Sequence, residues 1–72
     1  MTDPEQILIL RRRQVQLKTG LSCSTLYSMI AEGTFPRPIR LGYRAVGWLE
    51  HEVDAWLADR IEDRDLKAEM QR

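Results

Sequence analysis

The side chains with the greatest chemical capacity in this chain are arginines, tyrosines and small hydroxyl residues. They form three groups along the sequence: Arg11, Arg12 and Arg13; Ser24, Thr25, Tyr27 and Ser28; and Arg40, Tyr43 and Arg44. Guanidinium groups bind phosphate oxygens through paired hydrogen bonds. Short hydroxyl side chains both donate and accept hydrogen bonds at close range. Together these groups are typical of a surface that contacts a nucleic-acid backbone and its base edges.

Catalytic and metal-binding groups are sparse. His51 is the single histidine and lies among acidic residues, which indicates a surface side chain. The carboxylates around it are spaced so that three ligands do not share one helical face, which argues against a metal site. Cys23 is the single cysteine, has no neighbouring base and falls on the apolar side of its segment, so we interpret it as an inert core residue. We therefore predict no enzyme activity, no metal and no cofactor.

The charge of the chain is balanced overall but unevenly distributed. The formal net charge is zero, yet residues 1–49 hold seven basic and three acidic side chains, whereas residues 50–72 hold four basic and eight acidic ones. A basic body can be drawn to phosphate while an acidic end faces away from it. No apolar run approaches the ~20 residues that a membrane helix needs, and no signal peptide is visible. We expect a cytoplasmic protein without membrane contact.

The rest of the chain is organised around a turn and a helix between Gly20 and Pro38. Gly20 can take the left-handed conformation that ends one helix, and Ser22 is a good N-cap for the next. The pattern predicts a second helix over residues 21–32 that ends at Gly33, before prolines force an extended exit. Its small hydroxyl residues face outward, which suits a recognition helix in a major groove. An ordinary amphipathic helix of a small helical domain fits the same pattern.

Two shorter segments precede this helix. We predict a first helix over residues 12–19, with the arginine cluster at its N-terminal end. Positive charge is unfavourable there, and a nearby phosphate would relieve it, although a solvated basic cluster is an equal alternative. Residues 7–10 are apolar and form either a strand or packing before the helix. Residues 1–8 are expected to be a flexible lead.

A hairpin and a last helix follow. We expect Ile39, Leu41, Val46 and Trp48 to share one face of the hairpin, which requires a loop with an even number of residues. A two-residue loop, Gly42 and Tyr43, is one alternative, and a loop over residues 42–45 is preferred. The last helix begins near residue 49, with an apolar stripe that loses its phase beyond residue 61. Residues 61–72 form either a charged helical extension or a tail, and Trp48 and Trp56 are predicted to be buried and to pack together.

This order of elements predicts a mostly helical domain over residues 9–60 with a small β-hairpin, arranged as a winged helix-turn-helix. The second helix and the hairpin tip are its working parts. An arginine at such a tip suits phosphate or minor-groove contact. For Arg40, solvation of an outer strand face is an equal alternative.

The sequence resembles the AlpA family of phage and prophage regulators. The resemblance extends from about residue 9 to residue 60 and rests on three motifs: GLS-x-S-T-L-Y, EG-x-FP-x-P, and LG-x-RAVGW followed by EVDAW. The family is related to small excisionases and to the DNA-binding part of MerR proteins. The resemblance implies a winged helix-turn-helix that binds double-stranded DNA and acts in transcription control, prophage excision, or both.

The resemblance also implies the residues that contact DNA. Recognition-helix positions correspond to Ser24, Thr25, Tyr27 and Ser28, and wing positions to Arg40, Tyr43 and Arg44; Arg12 and Arg13 are added from the basic cluster. Relatives often have Arg or Lys at the positions of Cys23 and Ser28, so affinity should come from the wing, from side-by-side copies, or from a recombinase or RNA polymerase partner. The alternative is a protein-interaction module that keeps the fold and has lost DNA binding.

Overall fold

The computed structural model describes residues 7–70, so the predicted lead up to residue 6 lies outside the described residues. The elements follow one another as β1 (Ile9–Leu10), α1 (Arg12–Thr19), α2 (Cys23–Glu32), β2 (Ile39–Arg40), β3 (Val46–Leu49) and α3 (Glu50–Met70). The strands form an antiparallel sheet in the order β1-β3-β2. The predicted sequence of helix, turn, helix, hairpin and helix is confirmed. The apolar segment before α1 is a strand, which pairs with β3.

The turn between α1 and α2 is fixed by its own hydrogen bonds. Gly20 has φ 76° and donates its N–H to Gln16 O at 2.7 Å, so it ends α1 in the left-handed conformation that glycine adopts without strain. The Thr19 hydroxyl donates to Val15 O at 2.8 Å and accepts from the Leu21 N–H at 3.3 Å. The Ser22 hydroxyl oxygen then accepts from the Thr25 N–H at 3.2 Å, as an N-cap. The direction in which α2 leaves α1 is therefore set locally.

The hairpin differs from the prediction in the parity of its loop. Ile39 pairs with Gly47 and Arg40 pairs with Val46, and the Leu41 N–H donates to Ala45 O at 2.8 Å. The loop therefore comprises the three residues 42–44. Because directly paired residues lie on the same face of a sheet, an odd loop separates Ile39 and Leu41 from the face of Val46. The expected shared face was wrong.

The core lies between the three helices and the inner face of the sheet. Its buried residues come from α1, α2, the α2–β2 connection, β3 and α3: Val15, Leu26, Phe35, Trp48 and Val53. Trp48 is fully buried, as predicted. Trp56 is only half-buried, which corrects the prediction for that residue, and its ring packs edge-on against Phe35 at a centroid distance of 4.8 Å.

The two indoles also hold the connection that follows α2. Trp48 donates its indole N–H to Pro36 O at 3.0 Å, and Trp56 donates to Thr34 O at 2.7 Å. Trp56 stays near the surface because the carbonyl that its N–H reaches belongs to Thr34, an exposed residue, while its ring covers Phe35. The carbonyl groups on either side of Phe35 are both satisfied, although the segment belongs to no helix or strand.

The last helix, α3, packs with its first half and extends beyond the core with its second. Val53 is buried and Leu57 half-buried, whereas Ile61 and Leu66 are exposed. Lys18 joins the end of α1 to the start of α3, with Nζ 2.6 Å from Asp54 Oδ1 and 3.4 Å from Glu50 Oε2. The hydrogen bond to Asp54 raises the pKa of Lys18 above its ordinary value, so the Lys18 side chain is charged at neutral pH and loses its proton only in strongly alkaline solution. Within residues 7–70, no helix is both long and apolar enough to cross a bilayer.

Gly47 is required by the close approach of two strands. A Cβ at this position would overlap the Ile9 Cγ2 methyl and lie 3.0 Å from Leu41 Cδ1 and 3.2 Å from the Leu10 carbonyl oxygen. We expect Gly47→Ala to lower the free energy of unfolding by about 1–3 kcal/mol, the usual cost of overpacking. Urea denaturation monitored by circular dichroism measures this. Gly42→Ala is the matched control, because no atom lies within 4 Å of the added Cβ at that position. Equal stability of the two variants would contradict the packing.

Candidate nucleic-acid interface

Three parts of the chain that are distant in sequence line one concavity of about 350 Å³. Its walls come from the start of α1, the middle of α2 and the hairpin: Arg11, Arg12, Arg13, Tyr27, Arg44 and Val46. All four arginines are exposed. Converging guanidinium groups repel one another in the free protein, and a bound polyanion removes that repulsion. The concavity therefore has the chemistry of a phosphate-binding surface.

The arginine cluster is held at the start of α1 by contacts to its neighbours. The backbone N–H of Arg11, the N-cap residue, donates to Gln14 Oε1 at 2.8 Å, which gives this N–H a partner at the start of the helix. Arg12 Nη1 lies 3.8 Å from Cys23 Sγ, in the first turn of α2. Cys23 is half-buried against this guanidinium and does not belong to the buried core that we predicted for it. Arg12 therefore links the starts of the two helices of the helix-turn-helix.

The predicted recognition-helix residues all lie on the exposed side of α2. Ser24, Thr25 and Ser28 are exposed, and Tyr27 is 43% exposed where α2 meets the concavity. The Thr25 hydroxyl oxygen accepts a hydrogen bond from the Ser22 hydroxyl at 2.9 Å, which leaves its own proton free to donate. None of these side chains is charged, so this surface can discriminate hydrogen-bonding groups but contributes little to electrostatic attraction.

The hairpin tip forms the wing. Tyr43 is 89% exposed, and the Arg44 guanidinium carbon lies 5.6 Å from its ring centroid. Arg44 reaches the concavity, whereas Tyr43 does not line it. Arg40 does not line it either, but its strand partner Val46 does. Arg40 is exposed and lies on the same face of the sheet as Val46.

Two residues of the concavity, Arg11 and Val46, were not among the DNA-contacting positions named from the sequence, although Arg11 belonged to the predicted basic cluster. The run of three arginines was the available signal for Arg11, but helical spacing alone does not identify which members face the wing. Nothing in the sequence marks Val46, which lines the concavity because β3 passes beside it. His51 is exposed, and residues 7–70 contain no group of three or more His, Cys, Asp or Glu side chains placed to hold a metal ion.

Two helices joined by a tight turn, with a hairpin beside the second helix, define a winged helix-turn-helix protein. Residues 8–61 match the family model described as prophage CP4-57 regulatory protein (AlpA). The chain belongs to this family, as its sequence motifs indicated.

Two relatives show how far the similarity extends. The chain is 44% identical over 64 residues to the uncharacterised protein ORF88 of Enterobacteria phage P4, covering 89% of this chain and 73% of that protein. It is 36% identical over 66 residues to the DNA-binding transcriptional activator AlpA of Escherichia coli K12, covering 83% of this chain and 94% of that protein. Both alignments extend over most of the helix-turn-helix, the wing and α3.

Proposed function

We propose that this chain is a sequence-specific DNA-binding regulator of a phage or prophage, acting in transcription control, in prophage excision, or in both. The observation that supports this most directly is the concavity in which arginines from α1 and Arg44 from the wing meet beside α2. The name of the Escherichia coli relative, a DNA-binding transcriptional activator, agrees with this role. Such a function places the chain in the cytoplasm, with double-stranded DNA as its partner.

In this proposal the two surfaces have different tasks. The exposed hydroxyl face of α2 enters a major groove and reads base edges through Ser24, Thr25 and Ser28. Arg12, Arg13 and Arg44 bind phosphates, and each contact releases counterions without reading sequence. Arg40 and Tyr43 contact the adjacent backbone or minor groove. Affinity therefore depends on the arginines and selectivity on α2.

The position of the acidic residues is consistent with this orientation. Glu50 and Asp54 are paired with Lys18 at the start of α3. The concavity has no acidic residue in its lining, so its positive field is not cancelled at short range. The zero net charge therefore reflects separation of charge along the fold and does not argue against a polyanionic ligand.

The experiment is a fluorescence-anisotropy titration with DNA fragments from the region around the gene, at four salt concentrations from about 50 to 200 mM. We expect saturable binding, and we expect the logarithm of the affinity to fall linearly with the logarithm of the salt concentration. Circular dichroism on the same sample shows that the protein is folded. A folded protein that binds none of these fragments near 50 mM salt contradicts the proposal and favours the protein-interaction module.

Selectivity is tested at Thr25. Thr25→Val keeps the shape of the side chain but removes a hydroxyl that faces outward from α2. We expect a loss of about 1–3 kcal/mol in the preference for a selected site over random DNA, with an unchanged salt slope. Thr34→Val is the control, because Thr34 follows α2 and its hydroxyl donates to the Met29 carbonyl at 3.2 Å, a contact within the protein. If Thr25→Val weakens binding to both DNAs equally, α2 does not read the sequence.

A single module of this size buries limited DNA surface. We therefore propose that occupancy of a natural site also depends on further protein contacts. The candidates are side-by-side copies of the chain, a recombinase or RNA polymerase. Binding curves with each added component at constant salt distinguish these cases, because only a productive partner lowers the apparent Kd.

A further inference from the structure

A second concavity, of about 370 Å³, lies between α3 and the connection that follows α2. Three of its lining residues, Pro36, Ala55 and Trp56, are apolar, and the other two, Glu52 and Asp59, are carboxylates. None of these residues lines the arginine concavity. This surface, which we call the α3 groove, is therefore separate from the proposed phosphate site and opposite to it in charge.

The two carboxylates of the α3 groove share one face of the helix. They lie seven residues apart, which is close to two helical turns, so they are separated by about 10 Å along the axis. The helix dipole favours Glu52 in the first turn but does not account for Asp59. The ion pairs of α3 use other carboxylates, and within the described residues neither Glu52 nor Asp59 has a cationic partner. The α3 groove therefore has two uncompensated negative charges.

The aromatic wall of the α3 groove is held in place by the protein itself. The Trp56 indole donates its N–H to Thr34 O, and its ring packs against Phe35. The ring is half-buried, and the face of an indole attracts cations. The Arg60 guanidinium carbon lies 5.9 Å from the ring centroid, although Arg60 does not line the groove. Because the ring is already fixed, a cationic ligand pays little ordering entropy at this wall.

These features select the chemistry of the ligand. An arginine side chain matches them, because its guanidinium pairs with carboxylates and stacks on aromatic rings. The phosphate backbone of a nucleic acid would be repelled by the two carboxylates. A wholly apolar segment would cover the carboxylates without giving them a partner, which is costly.

We propose that the α3 groove docks a basic segment of a partner protein, whose arginine side chains pair with Glu52 and Asp59 beside the Trp56 ring. The role of this partner, support of DNA occupancy, rests on the proposed function. The docking itself requires no DNA, so its failure leaves the DNA-binding proposal intact, and the reverse also holds. Because the two concavities share no residue, one chain can hold DNA and the partner together.

The probe is the peptide acetyl-Gly-Arg-Gly-Arg-Gly-amide, titrated into the isotope-labelled full chain without DNA and followed by NMR. Low salt is used because it screens exposed ion pairs least. We expect a saturable shift of the Trp56 indole N–H signal with a Kd of about 1 mM, since exposed ion pairs and cation–π contacts are individually weak. The backbone amide signals of Tyr27 and Val46, in the arginine concavity, should stay unchanged.

Two matched changes test the role of charge. The same peptide with citrulline in place of arginine keeps the shape but loses the charge, and it should not bind at about 10 mM. Glu52→Gln/Asp59→Asn should raise the Kd of the arginine peptide about fivefold or more. The control is Glu32→Gln/Asp65→Asn, which changes one exposed Glu and one exposed Asp outside the groove and should leave the Kd within about twofold. Circular dichroism shows that both variants are folded.

The titration of the unmodified chain overturns the proposal if the Trp56 signal shows no saturable shift up to about 10 mM peptide. Equal binding of the citrulline peptide, or equal weakening by the two double variants, also overturns it. Sedimentation of the chain alone tests a second copy as the occupant. A dimer that only Glu52→Gln/Asp59→Asn dissociates would show that the groove holds another copy of this chain, and the proposal of a partner protein would then be wrong.

Discussion

Simultaneous replacement of Arg12, Arg13 and Arg44 by alanine is expected to weaken DNA binding about 500-fold at 0.1 M salt. Each phosphate contact steepens the plot of log affinity against log salt concentration by about 0.9. Relative to 1 M salt, each contact therefore raises the log affinity at 0.1 M salt by about 0.9. Three contacts therefore sum to about 2.7 log units, and the slope should fall by the same amount. Because phosphate contacts do not read sequence, the loss should be equal for selected and random DNA. Titrations at four salt concentrations on both DNAs measure it.

The matched control for this prediction changes three cations outside the concavity. The variant Arg60→Ala/Arg64→Ala/Lys67→Ala has the same change in net charge, but its residues lie on the outer part of α3, where Arg64 and Lys67 pair with neighbouring carboxylates. The slope of log affinity against log salt concentration for this control variant should match that of the unmodified protein. If both triple variants lower the slope equally, attraction depends on net charge alone and the concavity is not the phosphate site.

Trp48→Ala is expected to lower the free energy of unfolding by about 3–5 kcal/mol, the usual cost of removing a buried large aromatic side chain. The residue is fully buried and donates a hydrogen bond to Pro36 O. A folded chain of 72 residues has a total stability of about 4–11 kcal/mol. The loss is therefore a large share of the total, and the melting temperature should fall by at least about 12 °C.

Trp56→Ala is the natural comparison. Trp56 is half-buried but also donates a hydrogen bond to a carbonyl of the same connection, so its loss should cost less than the loss of Trp48. Thermal melts of both variants by circular dichroism rank the two costs. A Trp48→Ala melt within a few degrees of the unmodified protein would show that β3 is not anchored as described.

The helices could be predicted closely because their ends depend on local chemistry. Gly20 and Gly33 end α1 and α2, and Ser22 caps α2, so the bounds follow from residue types at short spacing. The hairpin register depends instead on which residue is small enough to lie beneath the side chains of Ile9 and Leu41. Gly47 lies beneath Ile9 of β1 and Leu41, the residue after β2, and the sequence of the hairpin alone does not show that a third strand is present.

The candidate site was predictable in its residue types but not in its assembly. Arginines near the start of α1 and at the wing are visible as charge clusters. Their meeting in one concavity, with Tyr27 between them, requires the angle between α1 and α2 and the path of β3. Similarly, the position of Trp56 at the surface depends on the Thr34 carbonyl, which lies far from it in the sequence.

The α2–β2 connection, pinned by two indole groups on either side of Phe35, has a consequence for how chains of this kind can change in length. An added or deleted residue within 34–38 would displace a carbonyl from its indole and change the separation between α2 and the wing, and with it the number of base pairs that the two can reach together. The loop at 42–44 has no such attachment, and Gly42 has open space around it. Insertions should therefore accumulate at the wing tip. There they change how far the wing extends, but they leave the separation between α2 and the start of the wing unchanged.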